Sequence, residues 1–291
     1  MSTPRYAVTA ASGQLGRLAV AALAARAGAA NVVAIVRDPA KAAFPEGVEV
    51  RAGDYTQPDT LDAAFACIDR LLLISSNEVG NRTPQHANAI DAAKRAGIAR
   101  IAYTSVLHAD TSLLGLAAEH RETEALLAAS GIPNSLLRNG WYSENYAASI
   151  PPALQHGAFI GSAAQGRIAS ASRADYAEAA AIALIADSDA RTIHELAGDT
   201  SYTLTDFAAE LSRQSGRTIP YVDMPEADYR AALTGAGLPE AFAALLADSD
   251  AATAKGALFD ESRTLSRLTG RPTTPFAETI AEALTPELVT G

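Results

Sequence analysis

Two glycines three residues apart, Gly13 and Gly16, sit in AVTAASGQLGRLAV (7–20), where a short strand-like run passes into a helical one. A turn of that kind can cradle phosphate, and each of its three positions has a physical task. The first makes a tight turn, the second lets the backbone approach a pyrophosphate, and the third lets the helix pack on the sheet. Gly13 and Gly16 fill the second and third. Ala10 stands at the first, where its methyl group is tolerated at negative φ and strained at positive φ. A helix starting around Gln14–Arg17 would offer free N–H groups to an anion. An ordinary strand–turn–helix with two glycines reads the same way, so the loop alone does not decide.

The residue after the next strand carries a second signal. In AIVRDP the first position beyond the apolar run is Arg37, where an NAD site usually has an acid for the ribose hydroxyls. A guanidinium fork suits the 2′-phosphate of NADP, and Arg17 could add a second positive charge. The competing reading gives Asp38 the ribose and leaves Arg37 in water. Other polar residues fall at strand ends: Asp54, positioned for an adenine amine; Ser75, Ser76 and Asn77; Thr104 and Ser105; Asn139 and Gly140. Serines after strands are also common helix caps. Their coincidence at one edge of one sheet is what points to a dinucleotide.

Other chemistries lack their residues. The chain has three lysines, Lys41, Lys94 and Lys255, and none follows a tyrosine by four, so the Tyr-x-x-x-Lys pair of alcohol dehydrogenation is missing. The five histidines show no metal-binding spacing, and no metal site is expected. No serine occupies a G-x-S-x-G elbow. A net charge of −10 argues against a nucleic-acid partner and against anionic membrane surfaces. The lone cysteine, Cys67, sits among apolar neighbours and reads as a buried thiol.

These residues need a scaffold to bring them together. Six β-branched runs at 6–9, 32–36, 48–52, 71–75, 101–105 and 134–138 alternate with helical stretches, several ending in glycine. That alternation predicts an α/β fold, a doubly wound parallel sheet of Rossmann-like form with helices on both faces. Residues 1–139 read as the NADP-binding domain. Residues 140–291 read as a smaller, mainly helical C-terminal substrate lobe, with segments such as TIHELAG returning to the sheet. TLTDFAAELSRQSG is a helix with Thr205 or Asp206 as N-cap and Gly216 at its end. No leader peptide or membrane span is read, which gives a cytoplasmic expectation.

The stretches SGQLG, VAIVRDPAKA, LLLISSNEVGNRTPQH, IAYTSVLHADTS, LRNGWYSENY, FIGSAAQGRIASASRADYA and HELAGD together resemble the NmrA-like atypical short-chain dehydrogenases/reductases. Within that branch they are most similar to the bacterial type 2 NAD(P)H:quinone oxidoreductases. The family's loop is Gly-x-x-Gly-x-x-Gly, so Ala10 departs from it. The resemblance implies NADPH-dependent, flavin-free two-electron reduction of a quinone. It implies Gly13, Gln14, Leu15, Gly16, Arg37, Ser75, Ser76 and Asn77 as cofactor residues, with Asn139, Gly140, Trp141 and Tyr142 at the nicotinamide end.

A quinone that accepts hydride becomes a delocalised hydroquinone anion, so placing it against the nicotinamide matters more than a strong acid. No catalytic residue is assigned. Tyr142, Asn145 or His108 is expected at the quinone oxygen, and each has an ordinary packing or loop reading as well. His120 reads as a polar residue on a helix face. Arg173 either reaches the cofactor or caps its own helix, with the cofactor favoured. The rival function is a sensor that binds NADP without turning it over; a third is reduction of an activated carbon–carbon double bond. A homo-oligomer is allowed but not specified.

Overall fold

Strands that are apolar on both faces can only be satisfied with helices on either side. In the computed structural model, which describes residues 3–188 and 190–285, the strand-like runs become β1 (Tyr6–Val8), β2 (Val32–Val36), the half-exposed edge strand β3 (Glu49–Ala52), β4 (Arg70–Leu73), β5 (Arg100–Val106) and β6 (Asn134–Asn139). Between them lie α1 (Gln14–Ala27), α2 (Pro58–Ala64), α3 (Arg82–Ala96) and α4 (Ala117–Ser130). Next come α5 (Ser143–Ala147), α6 (Ile150–His156), β7 (Phe159–Gly161), α7 (Arg173–Ile185) and β8 (Thr192–Leu196). The chain continues through α8 (Leu204–Ser215), β9 (Tyr221–Asp223), α9 (Glu226–Gly235), α10 (Glu240–Thr253), α11 (Thr264–Thr269) and α12 (Phe276–Ala283).

The sheet order is β3-β2-β1-β4-β5-β6-β8, and the pairs from β3 through β6 are parallel. This is the doubly wound arrangement expected from the sequence, with TIHELAG supplying β8. Two compact units divide the chain. The first holds the residues up to Ala109, Ala118–Asn139 and Arg173–His194; the second holds Asp110–Ala117, Gly140–Ser172 and the residues from Glu195 onward.

In the first unit, Leu61 and Phe65 of the α2 region, Ile90 of α3 and Leu127 of α4 form one buried cluster. They share it with Val33, Ile35, Leu71, Leu73, Ile101 and Tyr103 of the sheet. Burying each such side chain is worth about 1.5–3 kcal/mol. Elsewhere in the unit α1 packs against α7. Helix α7 buries mainly small residues, Ala177, Ala179, Ala180, Ala181 and Ala183 among them, and α1 buries Gly16 and Ala19 beside Leu15, Val20 and Leu23. Arg70 donates to the carbonyls of Leu184, Ile185 and Ala186 and pairs with Asp187, while Arg100 donates to the carbonyl of Ser188. Two strand-borne cations thus satisfy the carbonyls left open at and beyond the end of α7.

The second unit is mainly helical, with a two-stranded parallel sheet of β7 and β9. After β7 three successive N–H groups are captured by side chains. Ser162 donates to Asp250 Oδ2 at 2.9 Å, Ala163 to the Tyr221 hydroxyl at 3.0 Å, and Ala164 to Asp223 Oδ1 at 2.8 Å. The Asp250 carboxyl is buried, and a Cβ at Gly161 would lie 2.8 Å from its Oδ2, which explains the glycine there.

Three sequence expectations are corrected. Cys67 is exposed, not buried: it sits at φ +58° in the turn after α2, which carries its side chain away from the core. The N-cap of α8 is Thr203, not Thr205 or Asp206. Asp206 is the third helical residue and closes a capping box back onto Thr203, which satisfies two open donors reciprocally. His120 is buried inside α4's packing, not on a polar face.

Candidate functional site

Ligands of open parallel sheets bind beyond the carboxyl ends of the strands, where the strand order reverses. Here that point lies between β1 and β4. The segments leaving these strands, Thr9–Gly13 and Ile74–Asn77, therefore flank the candidate site of the first unit.

The loop after β1 is tightly fixed. Ala11 N–H donates to the Ile35 carbonyl at 3.0 Å, and Gly13 N–H donates to the Ala10 carbonyl at 3.0 Å. Ala10 has φ +48°, so the turn adopts the left-handed conformation a glycine would make without strain. Gly16 is demanded by packing: a Cβ there would lie 2.4 Å from the Ala10 carbonyl oxygen and 2.7 Å from Ala11 Cα. Gly13 is exposed with φ −70°, and its missing side chain leaves the backbone approachable. The start of α1 has no side-chain cap and no acidic residue in its first turn. Its leading N–H groups and positive dipole end thus suit a pyrophosphate.

Because an alanine in the left-handed region costs about 1–2 kcal/mol, Ala10→Gly is expected to stabilise the protein. After the extra freedom glycine gives the unfolded chain, the net gain is on the order of 0.5–1 kcal/mol. Thermal unfolding without cofactor checks this, and a lower midpoint for the variant would count against strain at Ala10.

Beyond β2, Arg37 is exposed and has no hydrogen bond or ion pair among the described residues. Asp38 is occupied: its carboxylate accepts from Ala40 N–H at 3.2 Å and pairs with Lys41 at 3.0 Å. Arg17 donates from Nε to the Ser12 carbonyl at 2.9 Å, so it braces the loop. Asp54 Oδ1 accepts from both the N–H and the hydroxyl of Thr56 at 2.8 Å, turning the chain after β3.

Tyr55 and Thr9 tie the two segments together. The Tyr55 hydroxyl lies 2.6 Å from Thr9 Oγ1 and 2.7 Å from the Ile74 carbonyl, and Ile74 N–H donates to Thr9 Oγ1 at 3.1 Å. Sequence reading missed Tyr55 and Thr9, because no spacing announces a contact between residues 46 apart. Ser75 N–H donates to Thr104 Oγ1 at 2.9 Å, and Ser76 Oγ accepts from Glu78 N–H at 3.1 Å. Thr104 and Ser76 therefore shape the segment through their hydroxyls, while Ser75 is half-buried and Asn77 exposed.

At the ends of β5 and β6, Ser105 donates to Glu124 Oε1 at 2.6 Å, and Arg138 grips both oxygens of that carboxylate at 3.0 and 2.8 Å. This pair is almost fully buried. Ser105 therefore holds an ion pair together. Asn139 is buried, and its Oδ1 has no hydrogen-bond partner among the described residues. Buried acceptors of that kind are rare and call for a ligand or water.

Arg173 begins α7 in the first unit and is half-buried; His108 follows β5 in the same unit at φ +51°. Gly140, Trp141, Tyr142 and Asn145 belong to the second unit. There Gly140 N–H donates to the Leu196 carbonyl at 2.7 Å, and Tyr142 pairs with Ala171 ahead of α5. Six tyrosines have their hydroxyl pKa raised, chiefly by burial: Tyr55, Tyr103, Tyr146, Tyr202, Tyr221 and Tyr229. None of the six is primed as a proton-exchanging phenolate. Among the described residues no group of three or more His, Cys, Asp or Glu could hold a metal ion.

The reversed strand order, the glycine turn and the uncapped α1 define a dinucleotide-binding protein of the doubly wound class. Comparison with known proteins is more specific. The sequence profile described as NAD(P)H-binding matches residues 10–187. Quinone oxidoreductase 2 of Escherichia coli (strain K12) is 55% identical over 277 residues, 94% of this chain and 97% of that protein. The crystal structure of the NADPH-dependent quinone oxidoreductase from Escherichia coli, complexed with NADPH, superposes with a TM-score of 0.93. It has 54% identity and covers 96% of this chain and 100% of that one. The triphenylmethane reductase of Citrobacter sp., complexed with NADP(H), superposes with a TM-score of 0.91 at 35% identity, covering 96% and 100%. This chain belongs to the NAD(P)H-binding family that includes quinone oxidoreductase 2.

Proposed function

We infer that the protein is an NADPH:quinone oxidoreductase that transfers a hydride from the nicotinamide to a quinone without a flavin. The observation that carries this reading is the likeness, over nearly the whole chain, to an NADPH-dependent quinone oxidoreductase. NADPH supplies the hydride when bound. The chain's part is to bind and orient: Gly13, Gln14, Leu15 and Gly16 offer backbone to the pyrophosphate, and Arg37 meets the 2′-phosphate. Ala10 shapes the turn. Asp54 is placed toward the adenine, and Ser75, Ser76 and Asn77 line the middle of the dinucleotide.

Asn139, with its unsatisfied amide oxygen, Gly140, Trp141 and Tyr142 take the nicotinamide end, with Arg173 as a further cofactor contact. His108, Tyr142 and Asn145 are the candidate donors to the quinone oxygen. A donor there stabilises the oxyanion as hydride arrives. Residues 1–139, with Arg173–His194 returning to the sheet, act as dinucleotide domain, and the rest of 140–291 as substrate lobe. No helix among the described residues is long and apolar enough to cross a membrane, which fits action in the cytoplasm on a small quinone.

The test mixes purified protein with NADPH, then NADH, with and without a small benzoquinone, and follows the absorbance of the reduced cofactor. Quinone-dependent oxidation of NADPH is expected. Tight NADPH binding with no turnover would leave a dinucleotide sensor. Arg37→Ala separates the cofactors, since a charge-assisted pair is worth about 1.5–3 kcal/mol. The KM for NADPH should rise roughly 10- to 100-fold while that for NADH moves little; equal losses would remove Arg37 from the 2′-phosphate.

A further inference from the structure

The segment from Ile74 to Ser76 lies beyond the last residue of β4, yet almost every peptide group in it is held by a side chain. Ile74 is clamped by Thr9 and Tyr55, and Ser75 N–H by Thr104. The Ser76 peptide is gripped on both sides. Its N–H donates to His86 Nε2 at 2.9 Å, and its carbonyl accepts from Arg82 Nε at 2.6 Å. What this leaves without a partner among the described residues is the Ser75 carbonyl and the Asn77 N–H, at the point where the strand order reverses.

The two clamping residues are themselves fixed. His86 is fully buried, and its Nδ1 lies 2.8 Å from Thr123 Oγ1. That hydroxyl donates to the Glu119 carbonyl, so Nδ1 carries the proton and Nε2 is the acceptor Ser76 needs. Burial, reinforced by the Arg82 charge, holds the imidazole neutral, with its pKa near 3. Arg82 is anchored twice. Its N–H donates to Glu119 Oε1 at 2.9 Å, and its Nη1 lies 3.3 Å from His120 Nε2, whose other nitrogen meets the Tyr103 hydroxyl at 2.8 Å.

We propose that His86 and Arg82 are positioning residues for the dinucleotide: by fixing the Ser76 peptide they present the Ser75 carbonyl and the Asn77 N–H to the bound cofactor. Neither touches the cofactor. The inference rests on the NADPH reading above and gives that site a preorganised wall.

The test uses the full chain and four proteins: wild type, His86→Leu, His86→Gln and Arg82→Leu. The dissociation constant of NADPH is measured by cofactor fluorescence, with KM and kcat for NADPH at saturating benzoquinone, well below each variant's unfolding midpoint. Both leucine variants should raise the dissociation constant and KM for NADPH about tenfold, with kcat within about twofold, as the loss of one or two charge- or backbone-directed hydrogen bonds predicts. Glutamine can place an amide oxygen near Nε2, so His86→Gln should recover most of the affinity. A general loss of structure would lower the active fraction and kcat without this split or rescue. Should buried residue 86 not accept leucine, half-buried Arg82→Leu carries the test alone. Folded leucine variants with wild-type NADPH affinity, or a glutamine variant no better than leucine, overturn the proposal. Failure of the wild type to bind NADPH overturns the cofactor reading itself, which is a distinguishable outcome.

Discussion

Gly16→Ala should all but abolish NADPH binding, raising the dissociation constant more than about 100-fold, the scale on which a 1 Å displacement affects a positioned site. The added methyl carbon would lie 2.4 Å from the Ala10 carbonyl oxygen and 2.9 Å from the Ala11 carbonyl carbon. Both obstacles are backbone, and neither can swing aside. The loop has no slack to absorb the clash, because Ala11 is bonded to the end of β2 and Ala10 already occupies the left-handed region. Either α1 or the turn must shift. Gly13→Ala is the informative companion: its methyl carbon would lie 3.2 Å from the Ala10 oxygen at a φ that alanine accepts. That variant should fold normally and still bind NADPH poorly, because its methyl group occupies the pyrophosphate's approach. Wild-type affinity in Gly13→Ala would show that phosphate does not come near this turn.

Asp250→Asn should stabilise the protein at neutral pH and change how stability depends on acidity. Burial raises the Asp250 pKa to about 6, the Ser162 N–H opposes that rise, and Asp223 adds to it. The ionisable neighbours in the second unit are Asp223, Tyr146, Tyr221 and Tyr229. An acid whose folded pKa lies above its unfolded value binds more protons folded than unfolded. Its contribution to stability is therefore greatest below the unfolded pKa, near 4, and is lost as pH rises to about 6. Two units correspond to roughly 3 kcal/mol, an upper figure for this site. Asparagine accepts from Ser162 and never ionises. A gain of roughly 1–3 kcal/mol, or several degrees in unfolding midpoint, is expected near pH 7.5, shrinking toward zero near pH 4.5. A constant difference between variant and wild type across that range would mean Asp250 ionises normally in the fold.

The sheet was legible because its strands announce themselves by composition: VVAIV is apolar on both faces, which only a covered parallel sheet allows. Gly13, Gly16 and Arg37 stood out as candidates because the pattern that singles them out lies within a short stretch of chain; the packing that demands glycine at 16 is what the structure adds. The clamp on Ser76 was not. His86 and Arg82 are assigned by contacts to a loop and to α4, residues 37 and 38 positions away in places, and no periodicity encodes those distances. Ala10 shows a different limit. Sequence named the position and the question, but the sign of φ is a property of how Ala11 and Gly13 bond to their neighbours. Cys67 misled for a related reason: its apolar neighbours belong to the helix it follows, and one left-handed residue in the turn is enough to point the thiol outward.

The division of the chain also constrains how the protein is made. Helix α7 packs on α1, yet it is encoded after the 33 residues from Gly140 to Ser172 that belong to the other unit. At a translation rate of about 5–20 residues per second, those residues delay α7 by roughly 2–7 s after β6 has been synthesised. Over that interval the nascent sheet lacks the helix that covers part of α1, and with it a share of its apolar burial. A fragment cut after Asn139 stays in that condition permanently, so it is an arrested stage of synthesis and not a miniature of the dinucleotide-binding unit.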